Sequence, residues 1–387
     1  MNLLIRLNVF LFLMSGILLL TADFKHFSII INYFSFLLFV FFTIVFNKKL
    51  RINWINFIFL FVFIIICFVS AFVNADLALF NRTVKQLIDY VALVIILPSI
   101  FKITEKDLSS TIEKSLYITV FPLILYSLIH SNPLVTPFKG VFANPNSMGL
   151  ISVIVSSVLL ARIVEAIKKS NFDIYLFLRL ILICLLAFII IQSSSRTSFV
   201  TLIVLVFLSI YNMFNNPIKI VRYNKKALLL LPLILLIPYF IFRYFNFSIL
   251  LQETIIEKFE RRTNDQLSGR TDIWLQTIEE STLFGNGAYY FLDNFNFGAH
   301  NLFISVLGNY GWIGFVFFTL FFIHSCILIL KHYKLSKYNN NHDFFSIFVL
   351  TSFLLMSLME HSTLLMYIFY LLIGNVLITK SKYIPNK

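Results

Sequence analysis

Apolar runs long enough to cross a bilayer recur along almost the whole chain, and no other feature constrains its fold as strongly. About twelve stretches reach the roughly 20 residues that 30 Å of hydrocarbon requires. They lie at about 2–21, 27–46, 52–72, 84–101, 112–130, 141–161, 174–191, 197–214, 226–245, 301–330, 344–359 and 362–379. Twelve such spans take up about 240 of the 387 residues, so no nucleotide-binding domain fits in the connections. Only 13% of residues are charged, against roughly 25% in soluble domains. Inside lipid each backbone polar group must be satisfied within its own segment, so the spans are expected to be helices. The fold class that follows is all-α: a polytopic membrane helical bundle of about 12 transmembrane helices with one long, partly helical extracytoplasmic loop. The chain divides into 1–245 with spans 1–9, 246–300 as that loop, and 301–387 with spans 10–12 and a cytoplasmic C-terminus. Arg6 ahead of an apolar stretch also fits a signal peptide. An uncleaved first helix is the expectation, since a chain with eleven further spans needs no separate export device.

The net charge of +13 follows this layout. Alternate connections hold 19 of the 31 Lys and Arg residues on one side, among them Lys48, Lys49, Arg51, Lys219, Arg222, Lys225 and Lys226. The other side holds eight: Lys25, Arg82, Lys139, Arg196, Lys258, Arg261, Arg262 and Arg270. The positive-inside rule then puts both termini in the cytoplasm and the long loop outside. No nucleic-acid partner is implied, because the surplus charge is a matter of orientation. Cys67, Cys184 and Cys326 fall within spans, where a thiol behaves as a small hydrophobe, so neither a disulfide framework nor a metal cluster is expected.

Function is expected where polar residues interrupt the apolar pattern on the outer side. Gly140–Gly149 opens the sixth span with Asn144, Pro145 and Asn146. Two readings are open there: a capped helix start, with Pro in the first turn and Asn on orphan amides, or a site for a polar ligand such as a sugar. Gln192–Ser198 is a tight turn with three serines before Arg196. That guanidinium either binds an anion or reaches the headgroups. In the long loop, Leu251, Ile255, Ile256 and Phe259 recur at helical spacing through 250–262, giving an amphipathic helix. Ser268 is a suitable N-cap for a second helix over about 270–281, with Ile273, Trp274 and Ile278 on its buried side. Arg270 then stands in the first turn, beside amides that favour an anion such as a diphosphate. His300, followed by Asn301, lies where the loop returns to the membrane and has a plausible acid–base task; a hydrogen-bonded structural histidine is the alternative. Gly308, Gly311 and Gly314 within the tenth span allow close helix contact or a bend. Lys85 and Asp89 can pair on one helix face, and Glu360 and His361 occupy the short turn before the last span.

In order, Phe142–Gly149, Ser195-Arg196-Thr197, Ser268–Trp274, Leu283–Gly287, Ala299–Leu302 and Gly311–Gly314 resemble the motifs of the O-antigen ligase and O-antigen polymerase superfamily. These are integral-membrane glycosyltransferases acting on polyprenyl-diphosphate-linked saccharides. The resemblance covers about 140–315; before 140 only hydropathy agrees. It implies transfer without metal or other cofactor. Carried over position by position, it makes Arg196 and Arg270 the holders of the lipid diphosphate and His300 the group that serves the acceptor hydroxyl. Asn144, Asn146 and Asn301 join the two arginines as candidate substrate-binding residues. The partners implied are a polyprenyl-diphosphate-linked saccharide, a glycan acceptor, the lipid bilayer and, for a polymerase, a chain-length regulator. The location implied is a bacterial cytoplasmic membrane with the active site on its outer side.

Three functions compete. A repeat-unit polymerase for a cell-surface polysaccharide is the leading expectation, a ligase onto lipid A core or another anchor the alternative within the family. Abundant Phe beside scarce Gly and Pro fits AT-rich coding, common in Gram-positive bacteria that lack lipid A, and so favours the polymerase. A transporter of lipid-linked oligosaccharides is the competitor from another class. Transporters tend to show internal repeats and midplane charges, whereas the polar residues here gather at one face.

Overall fold

The computed structural model describes residues 2–45, 52–100, 105–133, 135–169, 174–214, 270–338, 344–360 and 362–383. The expected ninth span at 226–245, the amphipathic helix at 250–262, the Ser268 cap and His361 lie outside the described residues.

Each of the other eleven expected spans is a helix. In chain order these are α1 (Asn2–Leu18), α2 (Lys25–Val45), α3 (Trp54–Val73), α4 (Leu77–Tyr90) continued by a π-helical turn (Val91–Ile96) and α5 (Leu97–Ile100), then α6 (Glu105–His130), α7 (Pro145–Lys168), α8 (Ile174–Gln192) and α9 (Arg196–Phe214). Two short helices follow, α10 (Arg270–Glu280) and α11 (Tyr290–Phe295), and then α12 (Leu302–Tyr338), α13 (Phe344–Ser357) and α14 (Thr363–Tyr383). Seven helices among the described residues are long and apolar enough to cross a membrane, and Leu3–Leu18, Phe344–Ser357 and Leu364–Ile378 are shorter apolar helices. The chain is thus an all-α, multi-pass membrane bundle.

Helix α7 lies at the centre, buried along most of its length and packed by α8, α9 and α13. Its buried serines are compatible with that position because their hydroxyls bond within the helix, Ser152 to Met148 O and Ser156 to Ser152 O. The outer faces of α2 and α3 carry exposed Phe34, Leu37, Phe41, Ile55 and Ile58, the surface a bilayer would cover.

The two ends of the bundle differ. At one, Arg162 bonds Glu113, Glu165 and Ser109, and Arg179 adds a second contact to Glu113, joining α6, α7 and α8 through charges that are mutually neutralised. At the other, irregular segments are stitched to one another. Ala22 N donates to Val141 O, Ala143 N to Leu20 O, and Phe138 N to Gln192 O. Buried polar groups also tie helices together nearby: Asn32 Nδ2 donates to Asp89 and to Tyr367 Oη, while the Lys85 ammonium lies 5.8 Å from the Tyr367 ring centre.

The segment after α10 is fastened to a break in α12. Gly311 takes φ 74°, ψ −176°. There Trp312 N donates to Thr282 O and Ile313 N to Leu283 O, while Asn286 N reaches Gly308 O. A side chain on Gly311 would run into the backbone of Leu283 and Gly285. Close backbone approach, rather than a helix–helix contact, is what this glycine provides.

Candidate active site

Short helix ends at the stitched end of the bundle place the candidate residues. Helix α10 begins at Arg270 with Asp272 in its first turn, close to the expected 270–281. Its inward face differs from the expectation in one residue. Ile273 and Trp274 are half-buried and Thr277 is fully buried, whereas Ile278 is 42% exposed. The stripe through 270, 273, 274 and 277 follows the helical period, and Ile278 lies roughly 100° past Thr277 around the axis. Trp274 Nε1 donates to Ala299 O at 2.8 Å, which locks α10 to the residue before His300. Tyr290 Oη of α11 donates to Glu280 Oε2 at 2.9 Å. Hydrogen bonds from Gln276 and Tyr290 hold the Glu280 carboxyl below its ordinary range, so α10 and α11 are stapled by an ionised group. Burial and that bond push the Tyr290 phenol up to about 12.

Asp76 fixes the same segment from the other side. Its Oδ1 caps α4 at Leu79 N, and its Oδ2 accepts from Ala288 N; Arg82 Nη1 reaches Ala288 O. Together with Asn74, Asn81, Asn286, Tyr289 and Asp293 it borders an open polar groove of about 620 Å³.

Asn301 starts α12. Its Oδ1 accepts from Phe303 N at 2.8 Å and Ile304 N at 3.1 Å, while its Nδ2 donates to Leu358 O at 3.0 Å. The amide is thereby engaged at both ends, in a cap and in the turn between α13 and α14. His300, one residue earlier, has φ +47°, a conformation a β-carbon disfavours. Such local strain persists only where the surroundings hold it, and it is found disproportionately at functional sites. Here the imidazole lies against Phe297, ring centres 4.6 Å apart, and its Nδ1 is 3.2 Å from Glu360 Oε2.

Glu360 also faces Arg270. Nη1 of that arginine donates to Met359 O at 3.0 Å, and Nη2 stands 3.9 Å from Glu360 Oε1. The side chains of Arg270, Glu360 and His300 are 14%, 12% and 25% exposed, so one half-shielded carboxylate lies between a guanidinium and an imidazole. With Nδ1 turned to the carboxylate, Nε2 is the ring nitrogen left for a substrate.

Arg196 is the first residue of α9, half-buried at the same end. Ser195 Oγ and Ser198 Oγ bond each other at 2.9 Å across its helix start. A Cβ on Gly149 would collide with both serines, so α7 approaches this turn closely. Thr201 Oγ1 contacts Met356 Sδ at 3.5 Å, which sets the beginning of α9 beside the last turn of α13 and the 358–360 turn that follows. Asn144 caps α7, its Oδ1 accepting from Ser147 N at 2.7 Å with Pro145 in the first turn, and Asn146 is half-buried next to it. The structure therefore joins Arg270 and His300 through Glu360, puts Arg196 on the helix alongside, and uses Asn144 and Asn301 as caps.

Sequence reasoning gave Glu360 no role. The available signal was an ionisable residue in a very short turn at a membrane face, which is costly without a partner.

Residues 180–319 match the family described as O-antigen ligase. Over this stretch the chain is similar to an O-antigen ligase domain. Arg196, Arg270, His300 and Asn301 lie within that stretch, whereas Asn144, Asn146 and Glu360 fall outside it. Glycan transfer is the activity class of such a domain. None of the curated proteins compared matches the chain in sequence.

Proposed function

We propose that the protein is a repeat-unit polymerase of a cell-surface polysaccharide, a bundle of about twelve spans whose active site faces outward from a bacterial cytoplasmic membrane. It moves a growing glycan from polyprenyl diphosphate onto the next lipid-linked unit. The observation that carries this reading is the Arg270–Glu360–His300 cluster, whose arginine and histidine lie in the stretch that matches the O-antigen ligase family, with Arg196 on the neighbouring helix. Arg196 and Arg270 bind the diphosphate, each guanidinium offering two parallel hydrogen bonds that offset its charge. His300 Nε2 takes the proton of the acceptor hydroxyl as its oxygen attacks the anomeric carbon. The bond from that carbon to the diphosphate breaks, and polyprenyl diphosphate leaves with the electron pair. Direct displacement inverts the anomeric centre. Glu360 keeps the imidazole oriented and offsets its charge once protonated, as a buried carboxylate does for a catalytic histidine elsewhere. A diphosphate is a stable leaving group, so two guanidiniums suffice where other transferases use a metal. A chain-length regulator is a further partner of this reading.

The family description itself favours a second reading, a ligase that transfers the finished glycan to an anchor. Purified protein in detergent, given lipid-linked repeat units and no second compartment, distinguishes these functions. Elongated lipid-linked chains identify a polymerase and exclude a transporter. Arg196→Ala, Arg270→Ala and His300→Ala should each lower elongation by about 10²-fold or more, within the usual range for losing charge stabilisation or a general base, while the protein still purifies as a folded membrane species. Near-normal product from the Arg270 and His300 variants would overturn the site. A strain lacking the gene should display at most single repeat units if the protein is a polymerase. Long unattached lipid-linked chains would mean a ligase.

A further inference from the structure

Glu360 faces two groups with opposite tasks, and its geometry toward them is unequal. It is 3.2 Å from His300 Nδ1, within hydrogen-bonding range, but 3.9 Å from Arg270 Nη2, beyond it. The arginine fork is held against the 359–360 turn by Met359 O and by this loose ion pair. A diphosphate that takes the fork in bidentate fashion displaces the ion pair first, since it is the weaker contact. It also brings negative charge close to a carboxylate that is only 12% exposed, where solvent screens little.

We propose that Glu360 is a positioning residue that couples donor binding to the base: donor diphosphate takes Arg270 from Glu360 and leaves the carboxylate wholly to His300. The inference rests on the diphosphate reading of Arg270 given above. Its consequence is that the same carboxylate opposes donor binding and supports transfer. An empty site holds Arg270 neutralised, so the guanidinium does not stand as a bare charge near the membrane. An occupied site holds a histidine whose Nδ1 is fixed and whose Nε2 faces the acceptor. Glu360 makes no contact with the reacting atoms and acts only through the two residues beside it. Its position in the α13–α14 turn, anchored by Asn301 Nδ2 on Leu358 O, keeps it in register with both.

The test measures binding and transfer separately in the full-length protein in detergent, with geranylgeranyl diphosphate as the binding probe and geranylgeraniol as its uncharged control. Glu360→Gln keeps the shape and removes the charge. It should bind the diphosphate roughly tenfold more tightly than the unaltered protein, bind the alcohol equally, and lose elongation by about 10²-fold in kcat with a lower donor KM. Glu360→Asp, which keeps the charge on a shorter arm, should restore the weaker diphosphate binding and part of the kcat. A variant that merely misfolds binds the probe more weakly, so tighter binding with lost turnover separates coupling from damage. Equal or weaker diphosphate binding by Glu360→Gln overturns the coupling, as does tighter binding with undiminished kcat. If Arg270→Ala binds the diphosphate as well as the unaltered protein, the diphosphate assignment itself fails, and the coupling falls with it.

Discussion

Replacing Gly311 by alanine tests whether the α12 break is what holds the loop, because the substitution leaves hydropathy and helix propensity nearly untouched or improved. Gly311 has φ 74°, ψ −176°, a region open in practice only to glycine, and forcing a Cβ into it costs about 1–3 kcal/mol. The added carbon would collide with Gly285 N and with the Leu283 carbonyl, both backbone, so no side chain can swing aside. Relief requires the 283–285 segment to lift, which gives up the Trp312 N to Thr282 O and Ile313 N to Leu283 O bonds, both 3.2 Å. At about 1 kcal/mol net for each bond, the total penalty is about 4 kcal/mol. Since 1.4 kcal/mol is a factor of ten, opening becomes roughly 10³-fold more frequent. Hydrogen exchange of the Asn286, Trp312 and Ile313 amides in detergent should accelerate by roughly 10²–10³-fold, and glycan transfer should fall because α10, which starts at Arg270, is tethered through this segment. Val316→Ala, on an exposed face of the same helix, serves as the control. Unchanged exchange at Trp312 and Ile313 in Gly311→Ala would refute the docking argument.

Asn301→Ala removes a cap worth about 1 kcal/mol and the hold on Leu358 O. Transfer should drop partially, and Asn301→Asp, which keeps the cap but not the amide donor, should fall between the two in an elongation assay. Asp76→Ala frees both the α4 start and Ala288 N, so limited proteolysis should cut 286–290 faster while the spans stay intact. Excess EDTA should leave elongation by the purified protein unchanged, since two guanidiniums are asked to carry the diphosphate; loss of activity restored by Mg²⁺ would contradict that arrangement.

Much of the bundle was legible because lipid leaves a chain little choice: a run of about 20 apolar residues must satisfy its own amides, and a helix does so locally. Hence eleven expected spans coincide with helices within several residues; among the larger shifts, α12 runs on to Tyr338, and α4 begins at Leu77 because Asp76 caps it. Local rules likewise offered Asn144 or Asn146 as the cap of α7, a task that Asn144 performs, and a helix over about 270–281, where α10 lies. Local rules failed where rotation and distant neighbours decide. Ile278 was expected inward and faces out, Thr277 taking its place. The short α11 was not foreseen in an aromatic, Asn-rich stretch. Gly311 was expected to allow close helix contact or a bend; the bend is there, and what the local rules did not foresee is that the break also admits the backbone of another segment.

The sequence by itself determined that this chain is a helical membrane protein, which side its charge favours, and that Arg196, Arg270 and His300 were the residues to watch. Only the tertiary structure decided that Arg270 and His300 meet, and that they do so at Glu360, 90 and 60 residues further along the chain. The physical reason is range. Hydropathy, capping and helical period act over a few residues, whereas the meeting of three side chains from separate turns depends on how helices order and rotate against one another, which packing sets.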